Sequence, residues 1–219
     1  MIFTDKLNSS GDHPLLLSGL AGQLEAVLSV PETINPSYVG IIGHPHSLQG
    51  GTMNNKVVTT MARAFKELGI PSLRFNFRGV GQSSGSYDEG IGESEDMLAL
   101  TKMWQQEQTG LHFIFAGFSF GSYVAYRCAS QNPHSLLITI APPVHHYNYR
   151  EFTPSPSPWV IIQGNDDEVV PFEIVADFAS QSSPSLPLIE FDTGHFFHGK
   201  LIELKSQLID TIRKQVLLS

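Results

Sequence analysis

The sequence has 219 residues, of which 41% are hydrophobic and 16% are charged, a balance typical of one compact domain and not of a disordered chain. The formal net charge of −8 argues against a basic surface of the kind that binds nucleic acid or an anionic membrane. A single cysteine, Cys128, excludes an intrachain disulfide and thiolate-rich metal sites, and it agrees with a reducing compartment.

The first residues lack the features of a secretion signal. Asp5, Lys6 and Asp12 precede the short apolar run Leu15-Leu16-Leu17, so a basic start followed by a continuous apolar stretch is missing. No later run reaches the ~20 apolar residues that span a bilayer. We therefore expect a cytoplasmic protein that folds as a single domain over residues 1–219.

Short apolar runs alternate with segments of helical periodicity from Tyr38 onward. This pattern is typical of a mostly parallel sheet flanked by helices on both faces, an α/β fold. The predicted strands are Tyr38–Ile42, Ser72–Phe77, Leu111–Ala116, Leu136–Ile140, Trp159–Gln163 and Leu186–Phe191. Ahead of them, Gly22–Val30 is predicted to form an antiparallel edge hairpin with the preceding residues.

The segments between these strands carry apolar residues at helical spacing. A first helix is predicted from Val57, Met61, Phe65 and Leu68, with a stop at Gly69 and Pro71. The further helices are predicted over Ile91–Gln108, from Ser119, over Pro171–Ser180, and on the stripe Leu201, Leu204, Leu208 and Ile212. The proline-rich segment Pro142–Pro158 is predicted to be an irregular loop that forms a wall of a site.

The segment Gly117-Phe118-Ser119-Phe120-Gly121 matches the pattern G-x-S-x-G. It lies where the predicted strand Leu111–Ala116 gives way to a helix. A sharp strand-to-helix turn needs small neighbours and pushes the serine hydroxyl out over the carboxyl edge of the sheet. Ser119 is therefore predicted to be a nucleophile. The alternative is a tight turn whose serine only caps the helix.

A serine nucleophile needs a histidine base and an acid that orients it, in the chain order Ser, then Asp or Glu, then His. Asp166 and Asp167 follow the fifth predicted strand, and His195 follows the sixth. Such strand ends are where open α/β sheets place their sites. The alternative for the aspartates is that they solvate a turn or complement the dipole of the next helix. His198, about one helical turn after His195, is expected to face solvent or pack locally.

An oxyanion hole needs one backbone N–H after the nucleophile and another from an earlier loop. Phe120 supplies the first. In the loop Gly43–Gly51, Pro45 has no N–H, and His46 is the best-placed second donor.

The histidines of the chain leave a metal alternative open. His44, His46, His145 and His146 could instead hold a catalytic zinc, or His44 and His46 could be structural. The signature His-Glu-x-x-His is missing from the sequence. We predict a serine site without a metal or other cofactor.

The chain resembles the small bacterial cytoplasmic α/β-hydrolases that lack a cap domain. The features that carry the resemblance span nearly the whole chain: His44–His46 with Gly50–Met53, Asn76–Ser83, Gly117–Gly121, Gly164–Pro171 and Gly194–Gly199. In that family the aspartate three residues after the glycine orients the histidine, which selects Asp167 over Asp166. The histidine before the paired phenylalanines, His195, is the base. The resemblance also implies that Arg78 shapes a turn beside the site.

The predicted function is that of a serine hydrolase that cleaves a small-molecule ester, thioester or related acyl bond through an acyl-enzyme. Without a sizeable cap, the cleft is expected to be open and lined by Phe118, Phe120, Tyr147 and Phe196, which favours an acyl chain or an aromatic group. The alternative is a binding or scaffold protein on the same fold. The length of the acyl group and the oligomeric state do not follow from the sequence.

Overall fold

The computed structural model describes residues 1–217, which contain one eight-stranded sheet. The strands are β1 (Gly11–Gly19), β2 (Gly22–Val30), β3 (Tyr38–Gly43), β4 (Ser72–Phe75), β5 (His112–Phe118), β6 (Leu136–Ile140), β7 (Trp159–Gly164) and β8 (Leu188–Phe191). Their order across the sheet is β1-β2-β4-β3-β5-β6-β7-β8. β2 pairs antiparallel with β1 and β4, and all other neighbours are parallel. The predicted edge hairpin and mostly parallel sheet are therefore confirmed.

Helices cover both faces of this sheet, as predicted. They are α1 (Ile2–Lys6), α2 (Lys56–Glu67), α3 (Ile91–Glu107), α4 (Phe120–Gln131), α5 (Phe172–Gln181) and α6 (Leu201–Ile212), which continues into a π-helical turn, Arg213–Leu217. α2 and α6 bury Phe65 and Leu208 in one apolar layer. The other helices bury Trp104 and Tyr126 in the layer on the opposite face. Within the described residues, every helix falls short of the length and apolarity that a membrane span requires.

Two strands are shorter than predicted because their pairing with neighbouring strands is incomplete at one end. β4 ends at Phe75, since the N–H of Phe77 donates to the imidazole of His44 (2.9 Å) and not to a neighbouring strand. β8 begins only at Leu188, because the preceding Pro187 has no N–H to donate.

The strand before Ser119 is longer than predicted. β5 continues to Phe118, beyond Ala116, because its last residues keep pairing with β3 and β6. α4 consequently begins at Phe120, and Ser119 is the turn residue between strand and helix, not the first residue of the helix.

The helix α1 was not predicted, and it depends on a tertiary contact. It has five residues, too few for a helix that is stable alone. The carboxylate of Glu107, at the end of α3, accepts the N–H groups of Ile2 (2.6 Å), Phe3 (2.8 Å) and Thr4 (3.1 Å). The ring of Phe3 also stacks on Trp104 at 4.5 Å. Because Glu107, which caps α1, lies about 100 residues away in the sequence, no local pattern predicts this helix.

Residues 141–158, between β6 and β7, contain neither helix nor strand, as predicted. Tyr149 anchors this loop, because its buried hydroxyl lies 2.7 Å from the hydroxyl of Ser122 on α4. No cap domain is inserted here within the described chain, so the carboxyl edge of the sheet stays open.

Candidate active site

Ser119 lies in the turn between β5 and α4 with φ of +52° and ψ of −124°. This backbone conformation is rare outside glycine and costs about 1–3 kcal/mol, and it is that of a nucleophile elbow. Two glycines make the turn possible. A Cβ on Gly117 would collide with the backbone of Gly121, and one on Gly121 would collide with Gly43 in β3. The N–H of Ser119 donates to the carbonyl of Ile140 (2.8 Å), which ties the turn to β6.

The structure brings Ser119, His195 and Asp167 into one hydrogen-bonded chain. The hydroxyl oxygen of Ser119 lies 3.2 Å from Nε2 of His195, and Nδ1 of His195 lies 2.8 Å from Oδ2 of Asp167. A proton on Nδ1 leaves Nε2 free to accept from the serine hydroxyl. Ser119 is 9% exposed and His195 is 3% exposed. Ser119 also lines a surface cleft, through which a ligand can reach its hydroxyl, while the imidazole is shielded from water.

Backbone and side-chain donors hold the carboxylate of Asp167. Oδ1 accepts the N–H groups of Val169 (2.9 Å) and Val170 (2.7 Å), which leaves Oδ2 facing His195. Burial alone would raise the pKa of Asp167, but the hydrogen bonds from His195, Val170 and Val169 outweigh burial and leave the pKa below its ordinary value. Asp167 is therefore ionised at neutral pH and can stabilise an imidazolium.

The neighbouring candidates lie elsewhere. Asp166 is exposed, and its backbone N–H donates to the carbonyl of Thr193 (3.2 Å). His198 is exposed as well, with its ring 5.9 Å from that of Phe196. The structure thus places Asp167 and not Asp166 against His195.

Two backbone N–H groups near Ser119 have no hydrogen-bond acceptor within the described residues, those of Phe120 and His46. Phe120 is the first residue of α4, so its N–H is one of the unpaired donors at a helix start. The loop of His46 is folded by the N–H groups of Gln49 and Gly51, which both donate to the His46 carbonyl at 3.0 Å. His46, Phe120 and Ser119 line the same cleft. These are the two donors predicted for an oxyanion hole.

His44 is buried away from the cleft. Its Nε2 accepts the N–H of Phe77 (2.9 Å), and its Nδ1 lies 2.6 Å from the carbonyl oxygen of Pro45. Burial lowers the pKa of His44 to about 4, so the ring is neutral at physiological pH. His145 and His146 pack on each other at 3.9 Å in the loop. Within the part of the chain that the structure describes, no group of three or more His, Cys, Asp or Glu side chains is placed to hold a metal ion.

A cleft of about 560 Å³ opens beside Ser119. Aromatic side chains form much of its lining: His46, Tyr87, Phe120, Tyr123 and Tyr147. The ring of Phe120 lies 5.1 Å from that of His46 and 5.5 Å from that of Tyr147. Tyr147 belongs to the loop of residues 141–158, which therefore forms a wall of the cleft.

Phe118 and Phe196 are not among the residues that line this cleft, so their role in a substrate pocket stays a prediction. Phe118 is buried in the layer beneath α2 and α6, whereas Phe120 lies in the layer beneath α3 and α4, where the cleft is. The turn at Ser119 separates the two rings. Phe118 and Phe196 instead flank the imidazole of His195, with ring centroids 5.0 Å and 5.1 Å from it. They hold the imidazole in place.

Known proteins share this architecture. An uncharacterized protein from Rickettsia prowazekii is 32% identical over 207 residues, which cover 90% of this chain and 87% of that protein. The structure of an α/β serine hydrolase homologue from Coxiella burnetii is 45% identical, with a TM-score of 0.88 and coverage of 93% of this chain and 98% of that one. An α/β serine hydrolase without a lid from Xanthomonas campestris is 40% identical, with a TM-score of 0.89 and coverage of 94% and 95%. The chain belongs to the lidless α/β serine hydrolases. No family model matches it.

One buried contact in this α/β serine hydrolase was not predicted from its sequence, that of the Gln163 side chain at the end of β7. Its Nε2 donates to Oδ2 of Asp167 (3.0 Å) and to the carbonyl of Val170 (2.9 Å). Gln163 is fully buried and so fixes the carboxylate oxygen that faces His195. A signal was present, because an amide stands at the carboxyl end of the otherwise apolar run Trp159–Ile162.

Arg78 stabilises the hydrolase fold and does not line the cleft. Its Nε donates to the buried carboxylate of Asp96 on α3 (2.9 Å), and its Nη1 lies 3.7 Å from Asp88. The guanidinium therefore ties the turn after β4 to α3. Shaping this turn is the structural role that the resemblance implied for Arg78.

Proposed function

We propose that Ser119, His195 and Asp167 form a catalytic triad that hydrolyses carboxylic esters or thioesters of small molecules through an acyl-enzyme. The observation that carries the proposal is the chain of contacts from the Ser119 hydroxyl through His195 to Asp167, at 3.2 Å and 2.8 Å, beside two unpaired backbone N–H groups. A nucleophile, a base, an orienting acid and oxyanion donors are the parts that acyl transfer needs.

The first half of the reaction acylates the serine. The oxygen of Ser119 attacks the carbonyl carbon, and Nε2 of His195 takes the hydroxyl proton. Asp167 stabilises the imidazolium through Nδ1. The N–H groups of His46 and Phe120 donate to the oxyanion of the tetrahedral intermediate. When the intermediate collapses, His195 returns the proton to the departing alcohol or thiol.

The second half regenerates the enzyme. Water attacks the carbonyl carbon of the acyl-serine while His195 takes one of its protons. Collapse of this second intermediate releases the carboxylic acid and returns the proton to the oxygen of Ser119. No metal, cofactor or redox partner is needed for either half.

The shape of the cleft supports small esters as substrates. Its volume of about 560 Å³ suits a small molecule, and no lid formed by the described residues covers it. The aromatic walls favour an apolar or aromatic group next to the scissile bond. The cytoplasmic location stays a prediction that rests on the sequence.

A fluorophosphonate probe tests the nucleophile. We expect covalent labelling of the wild type and none of Ser119→Ala, because the probe reacts with an activated serine. We also expect kcat for a p-nitrophenyl ester to fall by about 10⁴- to 10⁶-fold in Ser119→Ala.

Ser130→Ala is the matched control, because Ser130 lies on the same helix, α4, and only donates to the carbonyl of Tyr126 (2.8 Å). It should be labelled and active like the wild type. A folded wild type that the probe does not label would refute the triad and favour a binding protein.

A further inference from the structure

We propose that the cleft beside Ser119 selects a substrate that carries a positively charged ammonium group. The proposal rests on the proposed ester hydrolysis and names the substrate class for the same site. Three features carry it: a wall of aromatic rings, an unpaired carboxylate at Glu89, and the pairing of the nearby guanidinium groups.

The aromatic wall is continuous. The ring of Tyr147 stacks on Tyr123 at 4.7 Å and packs against Phe120 at 5.5 Å, and its hydroxyl lies 3.3 Å from that of Tyr87. Tyr87 in turn packs against His46 at 4.9 Å. Aromatic faces carry partial negative charge and attract an ammonium group more strongly than a neutral group of the same shape.

Glu89 is the acidic residue of the cleft lining. Its side chain is exposed, and it has no ion pair or hydrogen bond within the described residues. No Lys or Arg of the described chain lines the cleft with it. Its backbone has φ of +54°, an uncommon conformation for glutamate, held where α3 begins. The carboxylate is therefore available to a ligand.

Two guanidinium groups near this wall, those of Arg127 and Arg78, are already paired with carboxylates. A third, that of Arg150 in the loop of Tyr147, lies over the ring of Phe178 (5.2 Å) and is not part of the cleft lining. Arg127 makes a salt bridge to Glu151 and also donates to the hydroxyl of Tyr123 (3.3 Å). Arg78 is paired with Asp96 and Asp88. Neither leaves a free positive charge that could balance Glu89 or bind an anionic substrate.

Glu93 places a second carboxylate close to Glu89, because it accepts the N–H of the next residue, Gly90. Glu93 is fully buried beneath the cleft mouth, where its carboxylate accepts the N–H groups of Asp88 and Gly90 (both 2.9 Å). Burial, the hydrogen bond with Tyr87 and the charges of Glu93 and Glu89 raise the pKa of Tyr147. The carboxylate of Glu89 in the cleft lining, with that of Glu93 close to it, disfavours an anionic substrate and favours an ammonium group.

Matched pairs of esters isolate the effect of charge from that of shape. The first pair is butyrylcholine and 3,3-dimethylbutyl butyrate, which differ by nitrogen against carbon on the alcohol side. The second is ethyl 4-(trimethylammonio)butanoate and ethyl 5,5-dimethylhexanoate, which differ on the acyl side. We expect kcat/KM to be about 5- to 10-fold higher for the cationic member of at least one pair. Equal values within both pairs would overturn the proposal.

Two glutamate variants test whether the carboxylate of Glu89 causes the preference for the cationic ester. Glu89→Gln should reduce the preference to about twofold, because the aromatic contribution remains. Glu95→Gln removes the same charge from an exposed position on α3 and should leave the preference unchanged. If both variants change the preference equally, the effect belongs to net charge and the assignment to Glu89 is wrong.

A binding measurement separates this proposal from the proposed hydrolysis. Calorimetric titration with benzyltrimethylammonium needs no turnover, and we expect its Kd to be about 3-fold weaker for Glu89→Gln than for Glu95→Gln. An equal Kd in the two variants would overturn the charge selection even in an active esterase. Missing hydrolysis of all four esters, without probe labelling, would instead refute the proposed function.

Discussion

The three groups of the proposed triad are held at strand ends by short polar contacts, whereas the wall of the cleft is held by packing of aromatic side chains from loops and from α4. His195 and Asp167 follow β8 and β7, and the contacts along the triad measure 3.2 Å and 2.8 Å. Tyr87 and Tyr147 come from loops, and their rings meet Phe120 at 5.6 Å and 5.5 Å.

This contrast predicts which part of the molecule tolerates substitution. Hydrogen bonds are directional, so the position of each triad atom depends on particular donors and acceptors. Aromatic packing is less directional, and several side chains can fill the same space. Changes in the triad should therefore lower the rate for every substrate, whereas changes in the wall should alter the ranking of substrates.

The largest effect in this comparison is expected from Asp167→Asn. The amide no longer fixes the proton on Nδ1 of His195, so the imidazole adopts the wrong tautomer for accepting from Ser119. We expect kcat to fall by about 10⁴-fold for every ester, measured with a series of p-nitrophenyl esters at pH 7 to 8.

Asp166→Asn is the matched control, since Asp166 is the exposed neighbour. It should keep kcat within about twofold of the wild type, as surface substitutions usually have small effects. Loss of activity in Asp166→Asn with activity retained in Asp167→Asn would reverse the assignment of the acid.

Gln163→Met should have a smaller effect that is still independent of the substrate. It removes the donor to Oδ2 of Asp167, which we expect to lower kcat/KM by about tenfold, the usual cost of one hydrogen bond to a charged group. The carboxylate then presents more negative charge to His195 and stabilises the imidazolium. The acid limb of the kcat/KM profile should therefore move to higher pH.

Ile162→Val tests whether this shift arises from loosened packing, because Ile162 is the buried neighbour of Gln163 in β7. It should lower the thermal stability without moving the acid limb. An unshifted profile in Gln163→Met would show that the amide only fills space.

Much of the triad region could be predicted because each of its parts leaves a local signal. Buried parallel strands appear as apolar runs, and Ser119, Asp167 and His195 each follow such a run within a few residues. The glycines at 117 and 121 mark the turn because no side chain fits there. The order of the strands across the sheet leaves no such mark, and it is known only from the structure.

The wall of the cleft could be predicted only in part, because its contacts join distant segments. Tyr147 was predicted from its loop, but Tyr87, which contacts it, carries no pattern of its own. Phe118 was predicted beside Phe120 as a pocket candidate, but the strained turn at Ser119 separates the two rings into different layers. Side-chain direction at such a turn depends on backbone angles that spacing alone does not reveal.

Tyr147→Leu should have the smallest effect and the one that depends most on the substrate. Loss of the stacking on Tyr123 and the packing on Phe120 should change the ratio of kcat/KM for p-nitrophenyl butyrate to that for p-nitrophenyl acetate by about threefold. Phe196→Leu is the control, because Phe196 lies outside the cleft lining and packs on His195. It should lower both rates together and leave their ratio unchanged. If Phe196→Leu alters the ratio and Tyr147→Leu does not, the substrate lies on the Phe196 side of the imidazole and the wall is misassigned.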